Sequence, residues 1–510
     1  MATEVWKRNF WRNTATNYVN IIVRIGAGLV LFRLLFQHLD HERFGYYSLL
    51  WSLFGYAILL DFGLGVAVQK IVAQKAASGD LPALNRLVTT IVWSFAAIGL
   101  GCFVLFAAGR SLFLDWIHVA AANRAEFGTA YLIFFAALAI NLPLALFHEM
   151  LRGLQRMDIV NWCVVGSQLL NLGLMTFGLF TGWSFPAIVL TSVATTVAPE
   201  IAALIFVRRL IPGLNLHPRN FHFPDVRGVL SFSLIAYLIT FTNLVMVRSD
   251  QAVISVTIGV AFVALYQLGY KAAEFFGHFS RQMQDALSPA AAHLHAKGDM
   301  SAVRALLLQS SRLTILATTP LYALCAAYLD PVIRILSGLK QIDATTFWVG
   351  EALLLATYST LITSSCSKRI MVMCGWERRL LKVSVAEAGL NLVLSLVLVF
   401  PFGVLGVALG TLAPALLIGW GWMLPLTAKF ADISFATLLR EFFQPVLLPV
   451  AASLAVLGAL LILCPLPAQS HLLDCAWRGL LVLATLAAVG APCRRSLKTP
   501  AAMPAVPSCL

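Results

Sequence analysis

The sequence predicts an all-α polytopic membrane protein of about 14 transmembrane helices, arranged as two pseudo-symmetric six-helix lobes plus two C-terminal helices. Charged residues make up only 12% of the 510-residue chain, against about 25% in soluble domains. Hydrophobic residues make up 60%, and they form repeated runs long enough to cross about 30 Å of hydrocarbon as helices. The two halves of the chain also match each other at a spacing of 220 residues.

The apolar runs define fourteen predicted spans. Each run holds about 20 apolar residues, whereas the strands of a membrane barrel would show alternating patterns of about ten residues. The predicted spans lie near residues 14–36, 44–68, 85–108, 128–150, 159–181, 184–207, 228–248, 258–282, 303–327, 346–367, 380–401, 403–427, 444–465 and 472–492.

Lys and Arg residues alternate between the predicted connecting segments. With the N-terminus in the cytoplasm, cytoplasmic segments hold 25 of the 36 Lys and Arg residues, outer segments hold seven and the spans hold four. Because positive charge favours the cytoplasmic side, both termini are predicted to be cytoplasmic. The same distribution explains the net charge of +13 as a set of topology anchors that contact membrane lipids. It therefore gives no reason to expect a nucleic-acid partner.

Matched segments support the internal repeat. Asn171 and Asn391 lie 220 residues apart in similar apolar runs, and FGYYSLLW from Phe44 parallels ALYQLGYK from Ala264 at the same spacing. Two lobes with an even number of helices have the same orientation, which is typical of transporters that work by alternating access. The predicted organisation is an N-lobe at 1–212, a cytoplasmic linker at 213–227, a C-lobe at 228–428, and two additional helices with a cytoplasmic tail at 429–510.

Three segments carry a resemblance to a known family. They are FGYYSLLWSLFGYAILLDFGLGVAVQKIVAQ at 44–74, LRGLQRMDIVN at 151–161 and VRSDQAVISVTIGVAFVALYQLGYKAAE at 247–274. These segments resemble the Wzx-like oligosaccharide flippases of the polysaccharide transporter family, in the multidrug/oligosaccharidyl-lipid/polysaccharide (MOP) superfamily. The chain length, the fourteen predicted helices and their 6+6+2 arrangement agree with this family over nearly the whole chain.

The resemblance implies a function and a location. Such proteins move a polyprenyl-pyrophosphate-linked oligosaccharide from the inner to the outer leaflet of the bacterial inner membrane. The product would be O-antigen, capsule or exopolysaccharide. The expected partners are the lipid-linked oligosaccharide, membrane lipids, and polysaccharide polymerase and chain-length proteins. No cofactor is expected.

Ionisable residues inside the predicted spans are the candidate site residues, because such residues are costly in hydrocarbon and usually face a cavity or one another. The candidate cavity cations for a pyrophosphate are Arg24, Lys271 and Arg312. The candidates for ion coupling are Asp61, Glu274 and Glu387, while Glu149, Glu200 and Glu351 are further acids of the spans.

Each candidate cation has a structural alternative. Arg24 is preferred over Arg33, which lies nine residues later on the opposite face of the helix and near its outer end. Arg24 and Arg312 could instead hold helices together by pairing. Lys271 and Glu274 are three residues apart on a helix and could simply neutralise each other.

Two other classes of function are open at this point. A drug or metabolite cation exporter of the same superfamily should have an acidic, aromatic cavity, whereas the charges within the spans here lean basic. A membrane polymerase or ligase acting on lipid-linked sugars should carry catalytic acids or His on a sizeable outer loop. The longest outer segments, 109–127 and 328–345, are too short for that. The sequence also has no P-loop, zinc-helix or CxxC motif, so neither an enzyme nor a metal site is predicted.

Overall fold

The computed structural model describes residues 2–57, 80–154, 156–222, 234–282, 297–339 and 341–463, with isolated positions 68, 72, 287, 291, 294, 295, 477, 478, 481 and 484. Within these residues the regular structure is helical and contains no strand, so the predicted all-α class is confirmed. The α-helices are α1 (Ala2–His38), α2 (His41–Ala57), α3 (Leu81–Ala108), α4 (Arg110–Trp116), α5 (Arg124–Gly153), α6 (Met157–Phe180), α7 (Phe185–Leu210), α8 (Leu234–Thr257), α9 (Ala261–Gln282), α10 (Met300–Ala327), α11 (Leu329–Ser337), α12 (Ala344–Thr360), α13 (Cys366–Met373), α14 (Glu377–Ile418), α15 (Leu424–Ala431) and α16 (Phe435–Leu463). Two π-helical turns, Leu361–Ser365 and Gly419–Met423, join α12 to α13 and α14 to α15.

The described helices have the length and surface of a multi-pass membrane protein. Seven segments are long and apolar enough to cross a membrane, and the pair α10–α11, bent by 63°, makes eight if it is one span. Large apolar side chains also face outwards, such as Leu105 at 69%, Phe180 at 68% and Phe400 at 77% exposure. A soluble protein would bury most of this surface, whereas lipid tails cover it at little cost. The total of fourteen spans stays a prediction.

One apolar segment is long enough for two consecutive spans. Glu377–Ala431 has 55 residues, and a single crossing needs about 20. Gly403 breaks it with a φ of 57° and a ψ of −134°, a conformation that residues with a side chain rarely adopt. The two arms then pack closely, since a Cβ atom at Gly406 would lie 1.9 Å from the Leu398 carbonyl oxygen. Glycine therefore permits both the turn and the close approach of the arms.

The chain divides into two compact units. One comprises Met1–Leu244 with Ile254–Ala264, and the other comprises Val245–Val253 with Leu265–Leu510. In the first unit, α5 packs against α3 and α7, and α6 packs against α1 and α7. In the second unit, α12 packs against α14 and α10 packs against α16. Helices α8 and α9 contribute residues to both units.

Helix α8 extends past the end that the sequence predicts for the seventh span. The seventh span is predicted to end near residue 248, yet the helix continues to Thr257. Asp250 and Gln251 are each only 3% exposed. The helix continues because neighbouring helices supply hydrogen bonds to Asp250, which removes the need to place it in water.

Short helices occupy the two longest predicted outer segments. Helix α4 lies within 109–127 and α11 within 328–345. Both are joined directly to long helices, α3 and α10, so neither segment forms a separate folded domain.

The first part of the predicted linker packs along α3. The Asn85 amide nitrogen donates a hydrogen bond to the Gly213 carbonyl at 2.9 Å. Its amide oxygen accepts one from the Asn215 N–H at 3.0 Å. The Thr89 hydroxyl donates to the Asn215 carbonyl at 3.0 Å. These side chains satisfy backbone groups of an irregular segment that would otherwise need water. The linker up to residue 222 is therefore part of the first unit.

Aspartates occupy the N-cap positions of several helices. Asp80 and Asp343 accept hydrogen bonds from backbone N–H groups in the first turns of α3 and α12. Asp299 accepts one from the Ala302 N–H at 2.9 Å and one from the Ser301 hydroxyl at 2.7 Å at the start of α10. These bonds, that from Ala302 first, hold the pKa of the Asp299 carboxyl below its ordinary value. These acids cap helices and are not candidates for the site.

Candidate functional site

Arg24 is an exposed cation on α1, in the first third of the candidate membrane span Val19–His38. Helix α1 is held to α6 one turn earlier, where the Asn20 amide donates to the Asn161 side chain at 3.1 Å. Asn161 in turn donates to the Thr16 hydroxyl at 3.1 Å. Arg24 has no hydrogen-bond or ion-pair partner within the described ranges, and its side chain is exposed. No other described side chain therefore compensates its charge.

Lys271 has an acidic neighbour on its own helix. Its Nζ lies 2.5 Å from Glu274 Oε2, and the two side chains are 26% and 24% exposed. Lys271 Nζ also lies 6.0 Å from the centre of the Phe275 ring. A carboxylate at this distance offsets most of the lysine charge, so this pair is a weaker anion site than Arg24.

Arg312 is buried and paired with the first of the two additional helices. Its side chain is 6% exposed, its Nε donates to the Glu441 carbonyl oxygen at 2.7 Å, and its terminal nitrogen donates to the Glu441 carboxylate. The contact joins α10 to α16, which lie 129 residues apart in sequence at this point. This geometry favours the structural alternative for Arg312.

Glu387 also has a partner. It is 3% exposed, and its Oε2 accepts a hydrogen bond from Lys368 Nζ at 2.6 Å, which joins α14 to α13. The charge of Glu387 is therefore compensated by a lysine. Asp61, the third candidate for ion coupling, lies outside the described residues.

The second unit contains a buried carboxylate that the sequence analysis did not select. Asp250 of α8 is 3% exposed, and its Oδ2 accepts hydrogen bonds from the Tyr266 hydroxyl of α9 and, at 2.8 Å, from the Thr411 hydroxyl of α14. The Asn391 amide donates to Thr411 Oγ1 at 2.9 Å, and the Ser249 hydroxyl donates to Asn391 Oδ1 at 3.4 Å. Two neighbouring helices, α9 and α14, therefore orient the carboxylate of α8.

The second oxygen of Asp250 is available for chemistry. Asp250 Oδ1 is buried and has no hydrogen-bond partner in the described part of the chain. A buried carboxylate without a counter-charge is costly, so it favours taking up a proton or a small cation. The Tyr266 and Thr411 hydroxyls and the Asn391 amide make the surroundings of this carboxylate polar. The arrangement can therefore bind and release a positive charge.

Within the described residues, no group of three or more His, Cys, Asp and Glu side chains could hold a metal ion. Of the described cysteines, those at positions 102, 163, 366 and 374 form no disulfide.

Comparison with known proteins identifies the family. No curated protein sequence matches the chain. A family model described as polysaccharide biosynthesis protein matches residues 10–278, which is more than half of the chain. The chain belongs to this family. The matched region contains all three segments that carry the resemblance in the sequence, so the predicted family relationship is confirmed.

Solved structures share the fold of this polysaccharide biosynthesis protein at low sequence identity. The lipid II flippase MurJ, in an inward closed conformation, is 14% identical with a TM-score of 0.67, covering 94% of this chain and 99% of that chain. A multidrug resistance MATE family transporter of the MOP superfamily, in an inward-facing conformation, is 13% identical with a TM-score of 0.65, covering 81% and 99%. The Vibrio cholerae MATE transporter VcmN is 14% identical with a TM-score of 0.57, covering 86% and 98%. These neighbours show that the chain has the same multi-helix fold as these three transporters.

The internal repeat contains the signal that would have found Asp250. Most of its network recurs 220 residues earlier, but the acid does not. Tyr266, Asn391 and Thr411 correspond at this spacing to Tyr46, Asn171 and Thr191, whereas Asp250 corresponds to Val30. An acid present in one half only, among residues shared by both halves, marks a position where this polysaccharide biosynthesis protein has lost its symmetry.

Proposed function

We propose that this protein is a flippase that moves a polyprenyl-pyrophosphate-linked oligosaccharide across the bacterial inner membrane by alternating access. The oligosaccharide is a building block of O-antigen, capsule or exopolysaccharide. Membership of the polysaccharide biosynthesis protein family supports this substrate class. So does the shared fold with a protein that is named a lipid II flippase. A polysaccharide polymerase and chain-length proteins are the proposed downstream partners.

The exposed charge of Arg24 is the observation that carries the proposal. A pyrophosphate must leave water to cross the membrane, and an anion without compensation is very costly there. A guanidinium offers a planar fork of donors that matches phosphate oxygens. Lys271 and Arg312, the other two proposed cations, already have carboxylate partners. Arg24 is therefore the proposed headgroup contact, with Lys271 as a secondary one.

Asp250 is the proposed site of ion coupling. Glu274 and Glu387, the sequence-based candidates, have Lys partners at 2.5 and 2.6 Å. Asp250 has a free oxygen among hydroxyl and amide groups, so binding a proton or a monovalent cation would neutralise it.

Translocation in proteoliposomes tests the proposed function. Purified protein is reconstituted with a fluorescent polyprenyl-pyrophosphate oligosaccharide, and a membrane-impermeant sugar oxidant reports the fraction in the outer leaflet. We expect faster exposure of the lipid-linked sugar than in protein-free vesicles. Transport of ethidium without movement of the sugar would instead support the cation exporter. Lengthening of the sugar chain would support the polymerase or ligase.

The proposed orientation places both termini in the cytoplasm. The support is the distribution of Lys and Arg, with 25 of 36 on the predicted cytoplasmic side. An enzyme reporter that is active only after export, fused to the C-terminus, should stay inactive. The same reporter inserted in the outer segment 109–127 should be active. A strong signal from the C-terminal fusion would refute this orientation and the even number of spans.

A further inference from the structure

A buried histidine and glutamate face each other in the first unit. His148 lies on α5 and Glu200 on α7, and their side chains are 9% and 15% exposed. His148 Nδ1 and Glu200 Oε2 are in hydrogen-bond contact, so Nδ1–H donates to the carboxylate. The two residues are 52 positions apart in sequence, and the contact joins two helices that pack together along much of their length.

The second ring nitrogen is unused. His148 Nε2 is buried and makes no hydrogen bond in the part of the chain that the structure describes. With Nδ1–H bound to Glu200, the Nε2 lone pair is free to accept a proton from water. The Nε2–H bond that forms converts the ring to imidazolium, and release of this proton restores the neutral ring.

The surroundings favour this change of charge. Neutral His148 beside an ionised Glu200 leaves one net negative charge in a buried site, whereas imidazolium and carboxylate together have none. The Cys163 thiol of α6 lies near Glu200. Arg152, one turn beyond His148, is already 2.7 Å from Glu149. Other charged groups on helices that pack against the pair lie near the helix ends, at Asp158, Arg208 and Arg209 of α6 and α7 and at Arg86 of α3.

We propose that His148 and Glu200 form a proton-binding site of the first unit, separate from Asp250, which takes up and releases one proton at His148 Nε2. The coupling of this proton to transport rests on the proposed flippase function. The existence of the site does not, because proton binding can be measured without any substrate.

The internal repeat supplies an independent argument. The residue 220 positions after His148 is Lys368, and its Nζ lies 2.6 Å from a buried acid, Glu387. Both halves therefore place a basic group at this position and pair it with an acid from another helix. Lysine keeps its charge at physiological pH, whereas histidine gains and loses its charge between about pH 5 and 8. The pair of the second half is a fixed ion pair, and that of the first half is its titratable counterpart.

Solid-state NMR of the protein in lipid bilayers tests the site directly. The protein is labelled with ¹⁵N-histidine and ¹³C-glutamate, and His148 is identified among the ten histidines by its dipolar coupling to the Glu200 carboxyl carbon. We expect the His148 signal to change from one protonated nitrogen to two as the pH falls from about 8 to about 5. In Glu200→Gln the doubly protonated signal should be lost at the pH at which wild type shows it. A His148 signal that keeps one protonation state over this range would overturn the proposal.

Transport tests the coupling. His148→Lys copies the residue of the second half and keeps the ion pair charged, so the part of the pH dependence of lipid-linked sugar movement that comes from His148 should disappear, and any pH dependence that remains is assigned to Asp250. Wild type should vary with pH over the range in which His148 titrates. His217→Gln, an exposed histidine of the linker, is the matched control and should behave as wild type. An unchanged pH profile in His148→Lys would refute the coupling. Absence of sugar movement in wild type would refute the proposed function and leave the NMR result to stand by itself.

Discussion

Arg24→Ala is expected to abolish export of lipid-linked sugar while the protein stays at normal membrane abundance. The side chain is exposed and has no partner in the described part of the chain, so its removal leaves no buried group without compensation. Hydrogen bonds to a charged group contribute about 1.5–3 kcal/mol each, so loss of one phosphate contact should slow transport by about 10- to 100-fold. The measurements are membrane abundance by immunoblot and surface polysaccharide from the same strain.

Variants at Arg24 and Arg33 of α1 distinguish a role of Arg24 in headgroup binding from a structural role. Arg24→Lys should keep partial activity, because it keeps the charge and loses the planar fork. Arg33→Ala removes a second exposed arginine from the opposite face of the same helix and should leave export near wild type. A scarce Arg24→Ala protein would point to a structural role. Normal abundance with normal export would remove Arg24 from the mechanism.

Asp250→Asn is expected to stop ion-driven transport without loss of the folded protein. The amide oxygen can still accept the hydrogen bonds of Tyr266 and Thr411, so the network survives. The variant has no charge for a proton or cation to neutralise, so its transport should fall at least about tenfold. It should also lose dependence on the coupling ion. The measurement is sugar movement in proteoliposomes under imposed proton or sodium gradients.

Two further variants control for this result. Asp299→Asn replaces an exposed helix cap, where Asn and Asp serve about equally well, and should transport as wild type. Asp250→Val copies Val30 of the first half and leaves the Tyr266 and Thr411 hydroxyls without their acceptor, so it should be scarce in the membrane. Gradient-driven transport by Asp250→Asn at the wild-type rate would exclude Asp250 as the coupling site.

Asp250 shows why part of the candidate site was not predictable from the sequence. In the sequence the residue stands in a short polar stretch, RSDQ, after a long apolar run, which is also how a loop looks. Whether a helix continues through such a stretch depends on partners from elsewhere in the chain. Thr411 lies 161 residues away in sequence. Its hydroxyl and that of Tyr266 donate hydrogen bonds to the carboxylate, which lowers the free-energy cost of burying it.

For the charged residues of the spans, too, the sequence predicts the position of a charge but not its partner. Their positions and their cost in hydrocarbon could be recognised from the sequence alone, which is how Arg24, Arg312 and Glu387 were selected. Hydropathy and spacing do not indicate the partner of a charge when that partner lies on a distant helix. Glu441 is 129 residues from Arg312, and only the packing of α10 against α16 brings the two together.

The sequence by itself determined the class of this protein, its all-helical membrane character and its family. Those properties depend on composition, on the length of apolar runs and on short local motifs. Each of these is a local feature of the chain, because a helix that satisfies its own backbone needs only about 20 consecutive apolar residues to cross the bilayer. The tertiary structure alone decided which charges are free and which are paired. It left Arg24 exposed, placed Glu441 against Arg312, and gave Asp250 and His148 one unused polar atom each. The physical reason is that the availability of a charge in a membrane depends on what stands within about 4 Å of it, and those neighbours come from helices far apart in the chain.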